Sequence, residues 1–243
     1  MNRKTLAAAI SMLCSAGWIG LACAGPLPTG PGPSEITVSD GINTVSCKDG
    51  DPCDQNTFTG VINFSAPLDG WVVNVDVGTT KPIQGSATEP QIDLTFSLTY
   101  NSIAKQPGDN LITIQFSDPD FLASPASFTS SIGGTFAGGV TQVTYQDYAG
   151  GGATPNALFD QSNPLCGKSF NSSPFSDNCS KNFSGLTPYS LTELVTAYNP
   201  NQTNGQASGD HLLRGAPEPA TLLLMGAGLL GLGYFSRRRN RNS

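Results

Sequence analysis

One histidine, His211, stands in a chain of 243 residues. That scarcity removes the usual base from Ser-His-Asp and Cys-His mechanisms, because this imidazole falls in a stretch, 199–216, that reads as a linker rich in Asn, Gln and Gly. Gly133-Gly134 and Gly150-Gly151-Gly152 lack the Lys that follows a phosphate-binding loop, so they read as turns. Charged residues make up only 12% of the chain. No segment between the two ends carries a helical period. A repeat of constant length is missing, which ranks a solenoid second, and so is any regular Thr-x-Thr ladder of the kind seen in flat ice-binding solenoids. The cysteines contain no Cys-x-x-Cys pair, and with the histidine in a linker they do not spell a zinc site.

What is present is alternation. Ile92, Leu94, Phe96, Leu98 and Tyr100 alternate with Asp93, Thr95, Ser97 and Thr99, the period of a strand with one buried face. Trp71, Val73, Val75 and Val77 repeat the pattern, as do Ile112, Ile114 and Phe116. Residues 57–64, 128–136, 140–148 and 190–198 are further strand candidates, with Gly, Pro, Asn and Asp between them. The fold class is therefore all-β: a single β-sandwich of jelly-roll type over residues 35–198. A Pro/Gly linker, 25–34, precedes it and the linker 199–216 follows.

Both ends are directed to a membrane. Arg3 and Lys4 precede an apolar stretch from Leu6 to Leu21, and Ala22-Cys23-Ala24 is a small-x-small cleavage site, so residues 1–24 read as a signal peptide cut by signal peptidase. Lipidation at Cys23 needs an aliphatic residue at the position that Gly20 occupies. At the other end Pro217-Glu218-Pro219 leads into an apolar run, Thr221 to Phe235, closed by Arg237, Arg238, Arg239 and Arg241. The run is 15 residues, a span of roughly 22 Å against a hydrocarbon core of about 30 Å, which snorkelling arginines extend to a marginal transmembrane helix. The arginines stay cytoplasmic and act as the stop-transfer block, which puts everything before Pro217 outside.

The triplet, the apolar run and the arginine block, in that order and spacing, resemble the PEP-CTERM sorting tail of Gram-negative bacteria. The resemblance covers residues 217–243 and identifies no family for the body. It implies a partner, an exosortase, a membrane transpeptidase with a cysteine nucleophile that reads the triplet and removes the tail. It also implies a destination at the cell envelope, cell surface or extracellular polysaccharide matrix, after a transient stay in the membrane. The stretch Pro188–Thr196 is similar to a late strand in other proteins with such tails.

Trimming both ends leaves 6 basic residues against 18 acidic ones between Gly25 and Glu218, a net charge of −12. Such a surface repels nucleic acid and anionic headgroups and suits divalent cations or neutral polysaccharide. Cys47, Cys53, Cys166 and Cys179 remain, an even count in an exported chain, and proximity favours the pairs Cys47–Cys53 and Cys166–Cys179. The Asp49/Asp51/Asp54 cluster reads as a turn or a weak calcium loop, with calcium the one cofactor it admits; Asp118 and Asp120 are a similar pair. Tyr145 and Tyr148 flank Gln146-Asp147 near a Gly-rich loop and are the candidate sugar-stacking surface, whereas Trp71 sits among valines as a core residue. No catalytic residue is assigned. The expected role is non-enzymatic, structural or adhesive, in contact with extracellular polysaccharide. A lectin-like, calcium-dependent carbohydrate-binding module and a secreted glycan-active hydrolase using aspartates are the alternatives.

Overall fold

The alternating segments build two antiparallel sheets. A computed structural model describes residues 32–216, apart from 153 and 155; the signal peptide and the sorting tail, with its triplet and expected helix, lie outside these residues. Twelve strands run in chain order: β1 Glu35–Ser39, β2 Thr44–Lys48, β3 Val61–Leu68, β4 Trp71–Thr79, β5 Gln91–Tyr100 and β6 Leu111–Phe121. They continue as β7 Ser127–Gly138, β8 Gln142–Ala149, β9 Asn163–Phe170, β10 Phe175–Asn182, β11 Tyr189–Tyr198 and β12 Gly205–Ala216. Among the described residues there is no helix. The first sheet has the order β2-β1-β6-β11-β8-β9 and the second β10-β7-β12-β5-β4-β3. Non-consecutive neighbours dominate both, so the chain crosses repeatedly between layers, as in a jelly roll.

The period of two does the sorting. In β5 the side chains of Ile92, Leu94, Phe96, Leu98 and Tyr100 are all buried, and those between them are at least partly exposed. Trp71 is fully buried and meets Tyr100 edge-on, ring centroids 4.9 Å apart. Ile112, Ile114 and Phe116 of β6 and Leu191, Val195 and Ala197 of β11 cover them from the first sheet. Each such large apolar side chain contributes about 1.5–3 kcal/mol by leaving water.

The stretch 199–216 is no linker. From Gly205 onward it forms β12, which pairs along its length with both β5 and β7 and so lies inside the second sheet. Its small and amidic residues disguise a regular alternation in which Ala207, His211 and Leu213 point inward. Gly209 takes the remaining inward position because a Cβ there would come within 2.9 Å of the Phe96 ring and of the Gly133 carbonyl oxygen.

The two disulfides sit at the lateral seams. Cys166 of β9 bonds Cys179 of β10, tying the edge of the first sheet to the edge of the second. Cys47 of β2 bonds Cys53, in the segment that carries the chain from the opposite edge of the first sheet into β3.

Candidate functional site

Three ionisable side chains meet in the middle of the apolar core. Asp147 of β8 and Glu193 of β11 are cross-strand partners on the inner face of the first sheet, and His211 of β12 faces them from the second. Each is 0% exposed. His211 Nε2 is 3.0 Å from Asp147 Oδ1 and 3.2 Å from Ser130 Oγ, while its Nδ1 is 3.9 Å from Glu193 Oε1. The Tyr145 ring stands edge-on to the imidazole, centroids 5.0 Å apart. No oxygen of either carboxylate makes a hydrogen bond of sound geometry, and neither does His211 Nδ1. Burial pushes the Glu193 carboxyl well above its ordinary range, with Asp147, Asp93 and Asp210 adding repulsion that the Leu213 amide offsets only in part.

This cluster is absent from the sequence-level candidates, yet each member leaves a trace. Glu193 interrupts the inward series Leu191, Val195, Ala197, and Asp147 interrupts Val143, Tyr145, Ala149. A carboxylate at a core position of an alternating strand is the signal, because burying an unpaired charge costs several kcal/mol. Reading β12 as a linker hid the third member.

The expected stacking surface is half wrong. Tyr145 is 1% exposed, and its hydroxyl donates to Asp177 Oδ2 at 2.7 Å, so it is a core residue with a satisfied polar tip. Alternation places it on the inner face, and only Tyr148, on the outer parity with Gln146, keeps part of its ring in solvent. Asp49 and Asp54 fix their loop through backbone amides. Asp49 Oδ2 accepts from Gly60 at 2.7 Å, and Asp54 Oδ1 accepts from Asn56 and Asn63 at 2.9 and 3.0 Å; Asp51 is exposed. Asp118 is buried against Thr80 and Lys81, and Asp120 pairs with the Asn156 amide at 2.6 Å. These aspartates hold loops together rather than face one another across a cleft.

The outer face of the first sheet carries a second arrangement. Register lines up Thr44, Ser39, Thr113, Thr196, Thr144 and Ser169, one from each of its six strands. The row crosses five strand spacings, about 24 Å. All six side chains are exposed or half-exposed. Hydroxyls pair along it: Thr44–Ser39 at 3.0 Å, Thr113–Thr196 at 3.1 Å and Thr144–Ser169 at 3.0 Å. The flanking rows Thr37–Gln115–Leu194–Gln146 and Leu111–Tyr198–Gln142 are uncharged, and Tyr198 is 37% exposed. A neutral strip therefore runs across a strongly acidic protein.

Residues 216–239 match the PEP-CTERM protein-sorting motif. The chain is thus an exported protein with a C-terminal membrane-anchoring tail processed by an exosortase. No curated protein matches the sequence. Among solved structures, the chain is similar to TmCBM61 in complex with β-1,4-galactotriose, at 9% identity over 60% of this chain and 83% of that one, TM-score 0.33. The adhesin domain of Epf from Streptococcus pyogenes is similar at 10% identity over 74% of this chain and 57% of that one, TM-score 0.39. A carbohydrate-binding module of the β-sandwich superfamily is similar at 10% identity over 69% of this chain and 64% of that one, TM-score 0.34.

Proposed function

We propose that this exported protein has a non-enzymatic, structural or adhesive role at the cell envelope or in the extracellular matrix, and that the outer face of its first sheet contacts neutral polysaccharide there. The hydroxyl row supports this reading. The pairs Thr113–Thr196 and Thr144–Ser169 each spend one O–H and one lone pair and keep a second O–H and further lone pairs, so a polyhydroxylated chain laid along the row gains hydrogen bonds without displacing a charge. The net charge of −12 between Gly25 and Glu218 keeps polyanions away, while the strip itself presents none of that charge. Tyr198, two residues along β11 from Thr196, offers a ring edge-adjacent to the row; it gives the lectin-like alternative its own anchor.

The test is retention on neutral and anionic exopolysaccharide columns at low and high salt. Neutral hydrogen bonding and stacking survive salt, whereas long-range charge attraction is screened. The double variant Thr113→Val, Thr196→Val keeps the shape and removes two hydroxyls; it is expected to lose retention, and Tyr198→Ala to weaken it. Retention that salt abolishes, or that these variants leave intact, overturns the assignment of this face. Release of reducing sugars overturns the non-enzymatic reading.

A further inference from the structure

We infer that Asp147, Glu193 and His211 form a structural metal site that takes a divalent ion of the Zn2+ class and clamps the two sheets together. The donors converge from β8, β11 and β12, so a shared ion would bridge the first sheet to the second. One ligand atom from each residue lies within 4.8 Å of the others. Tetrahedral zinc with bonds of about 2.0–2.1 Å sets its ligand atoms about 3.3 Å apart, so the widest gap closes by at most about 1.5 Å, within reach of a carboxylate rotation. Ser130 Oγ lies 3.2 Å from His211 Nε2 and is a further oxygen beside the cluster.

The surroundings of these groups point to a cation rather than to a closed polar network. Apart from the 3.0 Å contact between His211 Nε2 and Asp147 Oδ1, the carboxylate oxygens of Asp147 and Glu193 and Nδ1 of His211 are enclosed without a hydrogen bond of sound geometry. Buried polar groups in folded proteins are paired, and an enclosed carboxylate short of donors is the costliest exception. The donor set selects the ion, since an imidazole nitrogen beside two carboxylates suits zinc and its neighbours and not calcium, which takes oxygen alone. With every ligand fully buried, the site is closed and has no position for substrate. Loading then accompanies folding, and release requires opening the sandwich.

The experiment uses the full chain, purified in detergent, unfolded in denaturant with chelator, and refolded with Zn2+ or without metal. Elemental analysis after dialysis against chelator is expected to show one zinc per chain in the first sample. Its unfolding midpoint should exceed that of the metal-free sample, and Co2+ in place of Zn2+ should give the visible absorption of a four-coordinate nitrogen/oxygen site. His211→Gln and Glu193→Gln should refold without retaining metal, while the triple surface variant Asp49→Asn, Asp51→Asn, Asp54→Asn should retain it. Should the core variants fail to fold, the wild-type pair decides alone. Folded wild-type protein with no bound zinc and an unchanged midpoint overturns the proposal, and so does one zinc that persists in His211→Gln.

Discussion

Replacing Cys166 and Cys179 by alanine removes the covalent tie between β9 and β10, and with it the seam that joins the two sheets along one edge. The closed loop has a sequence separation of 13, and loop-closure entropy makes the bond worth about 3 kcal/mol at room temperature. The Cys47–Cys53 loop has a separation of 6, for which the same relation gives about 2 kcal/mol. For a domain of this size each kcal/mol moves the thermal midpoint by about 2–4 °C, so the two double variants should fall by about 6–12 °C and about 4–8 °C. Urea unfolding followed by tryptophan fluorescence reports the difference directly, because Trp71 is enclosed between the sheets. The seam position adds an ordering that entropy alone does not fix. Without Cys166–Cys179, β9 and β10 are edge strands at the same margin, each paired on one side only, and local opening there should raise amide exchange in both before global unfolding. A Cys166/Cys179 variant that loses less than about 1 kcal/mol, or less than the Cys47/Cys53 variant, would refute the assignment of the stronger staple to this edge.

Two further outcomes follow. Burial by itself would raise the Asp177 carboxyl, but hydrogen bonds from Lys168 and Tyr145 outweigh it and hold the group below 3.8; its stabilisation is therefore present above that pH and lost as pH falls through the lowered value. Asp177→Asn should cost about 1–2 kcal/mol at neutral pH, and the gap from wild type should shrink in acid denaturation below about pH 4, where a gap that does not change would deny the carboxylate its role. Glu218→Ala should leave the tail uncleaved in the native host by intact-mass analysis, and equal processing of variant and wild type would show that the triplet is not read.

The sandwich was legible where strands bury one face against water. β4, β5, β6 and β11 announce themselves because large apolar residues at every second position have no other period to satisfy. β9 and β10 fully bury only Leu165, Cys166, Phe170 and Phe175, with Cys179 partly buried against the core, and most of their other positions are polar and exposed at an edge, so the alternation is too sparse to read. β12 was illegible for a different reason. Its inward positions hold Ala207, Gly209 and His211 before Leu213, small or polar residues whose fit depends on Phe96 and Ile132 from strands far away in sequence. The hydroxyl row is invisible along the chain in principle, because its members are spaced by register across six strands and not by residue count. The disulfide pairs needed only proximity. Tyr145 was misassigned because loop composition nearby was weighed above the parity of the strand that carries it.

β12 joins what the sequence presents as separate problems. It supplies the only imidazole to the core cluster, it is hydrogen-bonded on both sides within the second sheet, and it ends at Ala216, paired with Ser127 of β7. The sorting-motif match begins at that same residue, 216, so the sequence leaves no residue between β12 and the Pro217–Pro219 triplet. If the triplet is what the exosortase engages, as the Glu218→Ala test asks, it does so directly beside a strand that is hydrogen-bonded on both sides. The inferred ion at His211 would hold the strand five residues upstream of Ala216, so the refolding test with and without Zn2+ also reports on how firmly β12 is fixed ahead of the tail.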